Sequence, residues 1–159
     1  MPRTWRSLGL VVFLLQGCGS GLTPNVCPGP ACSCSNLSCT CDPGTSCRLG
    51  ESTCAGPGCA FHCLDHNTCS GTCDGDCSSE CKGGSKCTLT LGLNGNASCD
   101  GDSECTVTIG ANGRVACTGG STCHVTCRGL CSVTCGSSAC DLTCPGSATR
   151  SIPSGGQCM

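Results

Sequence analysis

Twenty-five cysteines in 159 residues are where this chain has chemistry to offer. Sulfur at that density either pairs into disulfides or gathers soft metal ions as thiolates. No two cysteines stand three apart, so the C-x-x-C turn common to zinc-binding and dithiol redox sites does not occur. The cysteines are therefore read as disulfides, with a thiolate metal-binding protein as the alternative. The other chemistry-bearing residues are sparse. His62 and His66 flank Cys63 and Asp65, and read as solvated loop histidines rather than ligands. His124 falls at an outward strand position with no carboxylate set beside it by spacing. Asp74-Gly75-Asp76 and Asp100-Gly101-Asp102-Ser103-Glu104 match no complete calcium loop and read as turn chemistry. With no G-x-S-x-G either, the chain is read as no enzyme, with no catalytic residue, metal or cofactor assigned.

The cysteines must be positioned by something, and that is a repeat. Cut every eighteen residues, residues 67–138 fall into four lines: NTCSGTCDGDCSSECKGG, SKCTLTLGLNGNASCDGD, SECTVTIGANGRVACTGG and STCHVTCRGLCSVTCGSS. Each line has Cys at its third and fifteenth places. The outer two add Cys at places seven and eleven, and the inner two lack both. Cysteines that vanish together most simply bond to each other, which predicts Cys73–Cys77 and Cys127–Cys131. Places three and fifteen are expected to pair within each line: Cys69–Cys81, Cys87–Cys99, Cys105–Cys117 and Cys123–Cys135.

Stretches such as Cys105-Thr-Val107-Thr-Ile109 and Cys131-Ser-Val133-Thr-Cys135 alternate with period two and are rich in β-branched residues, the pattern of half-buried strands. Short Gly-bearing links, among them Asp74-Gly75-Asp76 and Arg128-Gly129-Leu130, separate them. The fold class expected is all-β: a small disulfide-stapled β-solenoid, or stacked hairpins. The solenoid is favoured because stacking lets such units bury an apolar face. Aromatic residues are nearly absent; past Phe13 only Phe61 occurs. A large hydrophobic core is excluded, and cross-links must take its place.

Outside the repeat, residues 27–66 form an irregular Cys-rich cap containing nine cysteines. Nested pairing of Cys34 with Cys39 and Cys32 with Cys41 would make a stapled hairpin there, with other connectivities open. Residues 139–159 are an incomplete repeat and a polar tail. Cys140 and Cys144 lie too far apart on one strand to bond, and Cys158 is expected to tie the tail down.

The N-terminus reads as an export signal over residues 1–17: Arg3 and Arg6, an apolar run from Leu8 to Leu15, then Leu15-Gln16-Gly17-Cys18. The last four resemble the bacterial lipobox. The resemblance implies lipidation of Cys18, a tether over residues 18–26, and an outer-membrane address on its periplasmic or cell-surface face. An ordinary signal peptide cut elsewhere is the alternative. Setting Cys18 aside leaves an even number of cysteines for pairing. Removal of the signal leaves six basic against ten acidic side chains, which argues against nucleic-acid partners.

The Cys-x-Val-Thr-Cys units and the lipobox together resemble small cysteine-rich lipoproteins of myxobacteria, some of which take part in adventurous gliding motility. That implies a non-enzymatic structural or partner-binding element, anchored by lipid and contacting envelope or motility proteins. Thr88, Thr90, Thr106, Thr108 and Thr126 would share one face of stacked coils. They resemble the Thr-x-Thr ladders of insect β-solenoid antifreeze proteins, which implies an ice- or polysaccharide-binding surface as a further alternative.

Overall fold

In a computed structural model, residues 60–159 are described throughout, preceded by three short strands whose backbone alone is described: β1 (Cys32–Ser35), β2 (Ser38–Cys41) and β3 (Ser46–Arg48). The export signal, Cys18 and the tether lie outside the described residues. From residue 60 the chain alternates between two sheets. One receives β4 (Ala60–Cys63), β6 (Ser78–Cys81), β8 (Asn96–Cys99), β10 (Gly113–Cys117) and β12 (Cys131–Cys135). The other receives β5 (Thr68–Gly75), β7 (Lys86–Leu93), β9 (Glu104–Ile109), β11 (Thr122–Cys127) and β13 (Ala139–Thr143). No helix occurs among the described residues.

Strand pairing decides between the two architectures. Stacked hairpins would pair consecutive strands antiparallel. Here every strand from β4 to β13 pairs in parallel with the strand one coil away. Cys69 aligns with Cys87, Cys87 with Cys105 and Cys105 with Cys123, each at the period of the sequence. The protein is a β-solenoid of about five coils. The period also starts earlier than the sequence lines do, because Ala60 aligns with Ser78. Further back, β1 and β2 form an antiparallel hairpin whose register sets Cys32 against Cys41 and Cys34 against Cys39.

The chain turns at two corners per coil, and both use left-handed backbone. One has two consecutive positive-φ residues: Asp65-His66, Gly83-Gly84, Gly101-Asp102 and Gly119-Gly120. The other has a single one: Asp76, Asn94 and Asn112. Gly, Asn and Asp are the residues that adopt this conformation at least cost. Hydrogen bonding continues through the corners, as Asn94 N–H donates to Ala111 O and Gly84 N–H to Gly101 O. The backbone is thus paired coil to coil around the full circuit.

Between the sheets each contributes a central column to the core, flanked by buried cysteines and by Leu91 and Ile109. The first sheet contributes Phe61, Ser79, Ala97, Val115 and Val133, and the second Gly71, Leu89, Val107, Val125 and Leu142. In the first of these coils a large residue faces a small one: the ring of Phe61 lies over Gly71, where a Cβ would sit 3.6 Å from it. The last described coil is closed differently. β14 (Arg150–Ser151) pairs antiparallel with β13, and β15 (Gly155–Cys158) pairs antiparallel with β12. Buried Ile152 enters the core between them.

Candidate functional site: a disulfide ladder between two sheet faces

All sixteen cysteines from Cys63 onward are bonded, in eight bridges. Cys73–Cys77 and Cys127–Cys131 are two of them. The expected Cys69–Cys81, Cys87–Cys99, Cys105–Cys117 and Cys123–Cys135 are corrected to Cys63–Cys69, Cys81–Cys87, Cys99–Cys105, Cys117–Cys123 and Cys135–Cys140. The cause is geometric. An eighteen-residue period has no natural starting point, so place fifteen can meet place three of its own line or of the next. The chain leaves the first sheet at place fifteen and re-enters the second at place three after a short corner. That corner brings Cys81 and Cys87 face to face, with Cα atoms 6.3 Å apart. Closing loops of six residues rather than twelve contributes about 2 kcal/mol per bridge in the chain-entropy description, not simply additive.

The bridges stack. One Sγ from each of Cys63, Cys81 and Cys87 lies within 4.8 Å of the others, and the same holds for Cys81, Cys99 and Cys105 and for Cys99, Cys117 and Cys123. These sets share members, so four bridges form one continuous sulfur column along the first corner. A separate set, Cys127, Cys131 and Cys158, sits at the other corner in the last coils. Cys158 also bonds Cys144, so it ties the tail to the end of β13.

Beside the sulfur column runs a polar ladder that the strand pattern did not announce. Asn67, Ser85, Ser103 and Ser121 are all buried. Asn67 N–H donates to the hydroxyl of Ser85, and Ser85 N–H to that of Ser103. Each serine hydroxyl donates in turn to a carbonyl three residues back, on Lys82, Asp100 and Thr118. The signal was present in the sequence as a small polar residue at the first place of every line, Asn67 and then Ser85, Ser103 and Ser121.

The outer face of the second sheet is lined by threonine. Thr72, Thr90, Thr108, Thr126 and Thr143 occupy aligned positions over five coils, two more than the sequence had suggested. The parallel column is Ser70, Thr88, Thr106, His124 and Asp141. Its two ionisable members pair, His124 Nδ1 lying 3.1 Å from Asp141 Oδ2. A carboxylate is therefore brought to His124 after all, by the following coil. Lys86 and Glu104 pair at 2.9 Å on the same face, and the lysine holds the Glu104 carboxyl below its usual value.

The outer face of the first sheet carries a shallow hollow of about 340 Å³ lined by Ser78, Asn96, Ser98, Ala116, Ser132 and Thr134, with Arg114 as its charged member. In the same sheet His62 lies in β4 rather than in a loop, with Nδ1 3.0 Å from Glu80 Oε2. Lys82 pairs with the other carboxylate oxygen. Lys82, and then His62, hold the Glu80 carboxyl below its usual value. His66 is one of the left-handed corner residues. Asp76 Oδ1 accepts from Asn94 Nδ2, and Asp100 Oδ1 from the Thr118 hydroxyl, so these turn carboxylates serve neighbouring corners. No protein family, curated protein or solved structure matches the chain.

Proposed function

We propose that the protein is a non-enzymatic lipoprotein of the outer membrane, a rigid spacer or partner-binding element carried on a lipid at Cys18. The observation that carries this reading is the covalent closure of consecutive coils. A stack with a bridge at nearly every turn keeps its exterior geometry without needing a large core. Both exterior faces carry mostly short side chains, and Glu80, Lys86, Glu104 and Asp141 on them are each in an ion pair, which suits contact with another surface. Cysteine parity adds support. The sixteen described cysteines are satisfied among themselves, which leaves nine in the sequence, and assigning Cys18 to lipid leaves eight for pairing.

The role follows the same logic: a stapled rod on a short tether holds a partner at a fixed distance from the membrane, as an envelope or gliding-motility complex requires. Intact mass before and after reduction tests the address, with a diacylated Cys18, no free thiol and 24 thiols on full reduction expected. Gene deletion tests the role; unchanged single-cell gliding and surface adhesion would remove it.

A second reading attaches to the threonine face. Five aligned threonines bring hydroxyl and methyl groups to the interstrand repeat of roughly 4.8 Å, the last of them, Thr143, hydrogen-bonded to the Thr149 hydroxyl of the tail; the column is a regular template for ice or for an extended polysaccharide. Replacing Thr90 and Thr108 with Lys should abolish such binding while leaving the fold intact, because both side chains point outward. Binding that survives both substitutions removes the reading.

A further inference from the structure

We propose that Cys127, Cys131, Cys144 and Cys158 form a redox-gated metal site, holding two disulfides when oxidised and one four-thiolate divalent metal centre when reduced. The four residues come from four strand ends. Cys127 closes β11, Cys131 opens β12, Cys144 follows β13 and Cys158 closes β15. Cys131 and Cys158 are Cα partners across β12 and β15, and Thr126 and Thr143 are partners one residue before Cys127 and Cys144. The Cys127–Cys131 and Cys144–Cys158 bridges therefore lie one over the other. Sulfurs of Cys127, Cys131 and Cys158 are already within 4.8 Å of one another, and the Cys144 sulfur is bonded to that of Cys158. A tetrahedral zinc ion with Zn–S near 2.3 Å sets its ligand sulfurs about 3.8 Å apart. Four sulfurs from two stacked bridges can reach that arrangement by side-chain rotation once the S–S bonds open.

The longer sulfur column does not offer the same option. Its three sets overlap through Cys81 and Cys99, and their members are almost wholly buried with coils stacked on both sides. The terminal cluster shares no sulfur with that column. Cys127, Cys131 and Cys158 are buried as deeply as that column, but the folded-back tail alone covers the cluster on its last side and Cys144 is partly exposed, so attack at the Cys144 sulfur meets the least obstruction.

The chemistry balances with a dithiol as reductant. One thiolate of the dithiol attacks the Cys144 sulfur and expels Cys158 as thiolate. The second thiol then displaces Cys144 and leaves as a cyclic disulfide. The Cys158 thiolate lies within reach of the Cys127–Cys131 bond and can exchange with it, and a second dithiol completes the reduction. Two dithiols are oxidised, four cysteines reduced, and a bound divalent ion takes four thiolates as their protons pass to solvent. Exchange with two molecules of a disulfide oxidant, each reduced to its dithiol, restores both bridges and releases the metal.

Cobalt(II) is the probe, added anaerobically to the oxidised full chain with a limiting dithiol. Expected are one cobalt per chain, an intense thiolate-to-cobalt charge-transfer band with tetrahedral ligand-field bands, and zinc protection of these four cysteines from alkylation. Cys158→Ser should weaken cobalt binding at least about tenfold, whereas Cys73→Ser with Cys77→Ser should leave it unchanged. Should the Cys158 variant fail to fold, protection mapped on the unsubstituted chain decides by itself. Absence of the band, or protection falling on Cys81, Cys87, Cys99 and Cys105 instead, overturns the proposal.

Discussion

Ile109 lies so close over Gly113 that a Cβ on the glycine would fall 2.3 Å from the Ile109 Cγ1. Leu91 and Gly95 repeat the relationship one coil earlier, with the hypothetical Cβ 2.7 Å from the Leu91 Cβ. These residues align with Cys73 and Cys127 on one strand, and Gly113 aligns with Cys131 on the other. A large aliphatic side chain plus glycine thus occupies the space that a disulfide occupies in the flanking coils. The cysteines disappear in pairs because each exchange preserves volume only when both positions change together.

Two substitutions test that exchange. Gly113→Ala alone should destabilise the protein by about 1–3 kcal/mol through overpacking. Ile109→Cys with Gly113→Cys should form a further bridge, read as the loss of two mass units and no added free thiol. A double variant with both thiols free would show that the two positions are not equivalent to Cys127 and Cys131.

The serine ladder predicts a cost out of proportion to one hydroxyl. Ser103 Oγ accepts from Ser85 N–H and donates to Asp100 O, so Ser103→Ala leaves a buried donor unpaired. A loss of about 1–3 kcal/mol is expected in denaturant titration. Thr88→Ala, on the exposed face, should change stability by less than about 0.5 kcal/mol. Equal effects from the two would remove the ladder as a source of stability.

Period-two alternation and the eighteen-residue repeat were enough to give the strands, the all-β class and the inward positions of Val107, Ile109 and Val133. They were also enough for Cys73–Cys77, because an absence shared by two positions is information about a pair. They did not give the pairing of the invariant cysteines. Cys99 has Cys87 and Cys105 as candidates at equivalent places in successive coils, and only the short corner between Cys99 and Cys105 chooses. His124 shows the same limit: its partner Asp141 is seventeen residues away, where the period shortens by one, so eighteen-residue bookkeeping misses the contact.

The Glu80 network predicts a pH dependence with a definite sign. Lys82 and His62 depress the folded-state value of Glu80 below 4.5, so its contribution is present above the unfolded value and disappears as pH falls through the folded one. Glu80→Gln should therefore be less stable than the parent at neutral pH, by no more than about 1 kcal/mol for so accessible a pair. The gap should close as pH drops below 4.5. A gap that instead widens in acid would mean that the carboxylate is destabilising in the folded state.

The tail is expected to act as a cap rather than an appendage. Along the last coil, β12 and β13 would present free parallel edges, and β15 and β14 satisfy them in antiparallel pairing. Ile152 is 6% exposed and Gly156 approaches Leu142 closely, so the cap also seals the end of the core. Uncovered edges recruit further strands. Deleting residues 145–159, together with Cys144→Ser so that no thiol is left unpaired, should therefore promote end-to-end association, seen by light scattering to grow with protein concentration. Cys158→Ser, which keeps the strands but removes their covalent tie, should give an intermediate result: faster hydrogen exchange in residues 131–135 with little change in 105–109. If the shortened chain stays monomeric with its last coil still protected, the edges are guarded by something other than the tail.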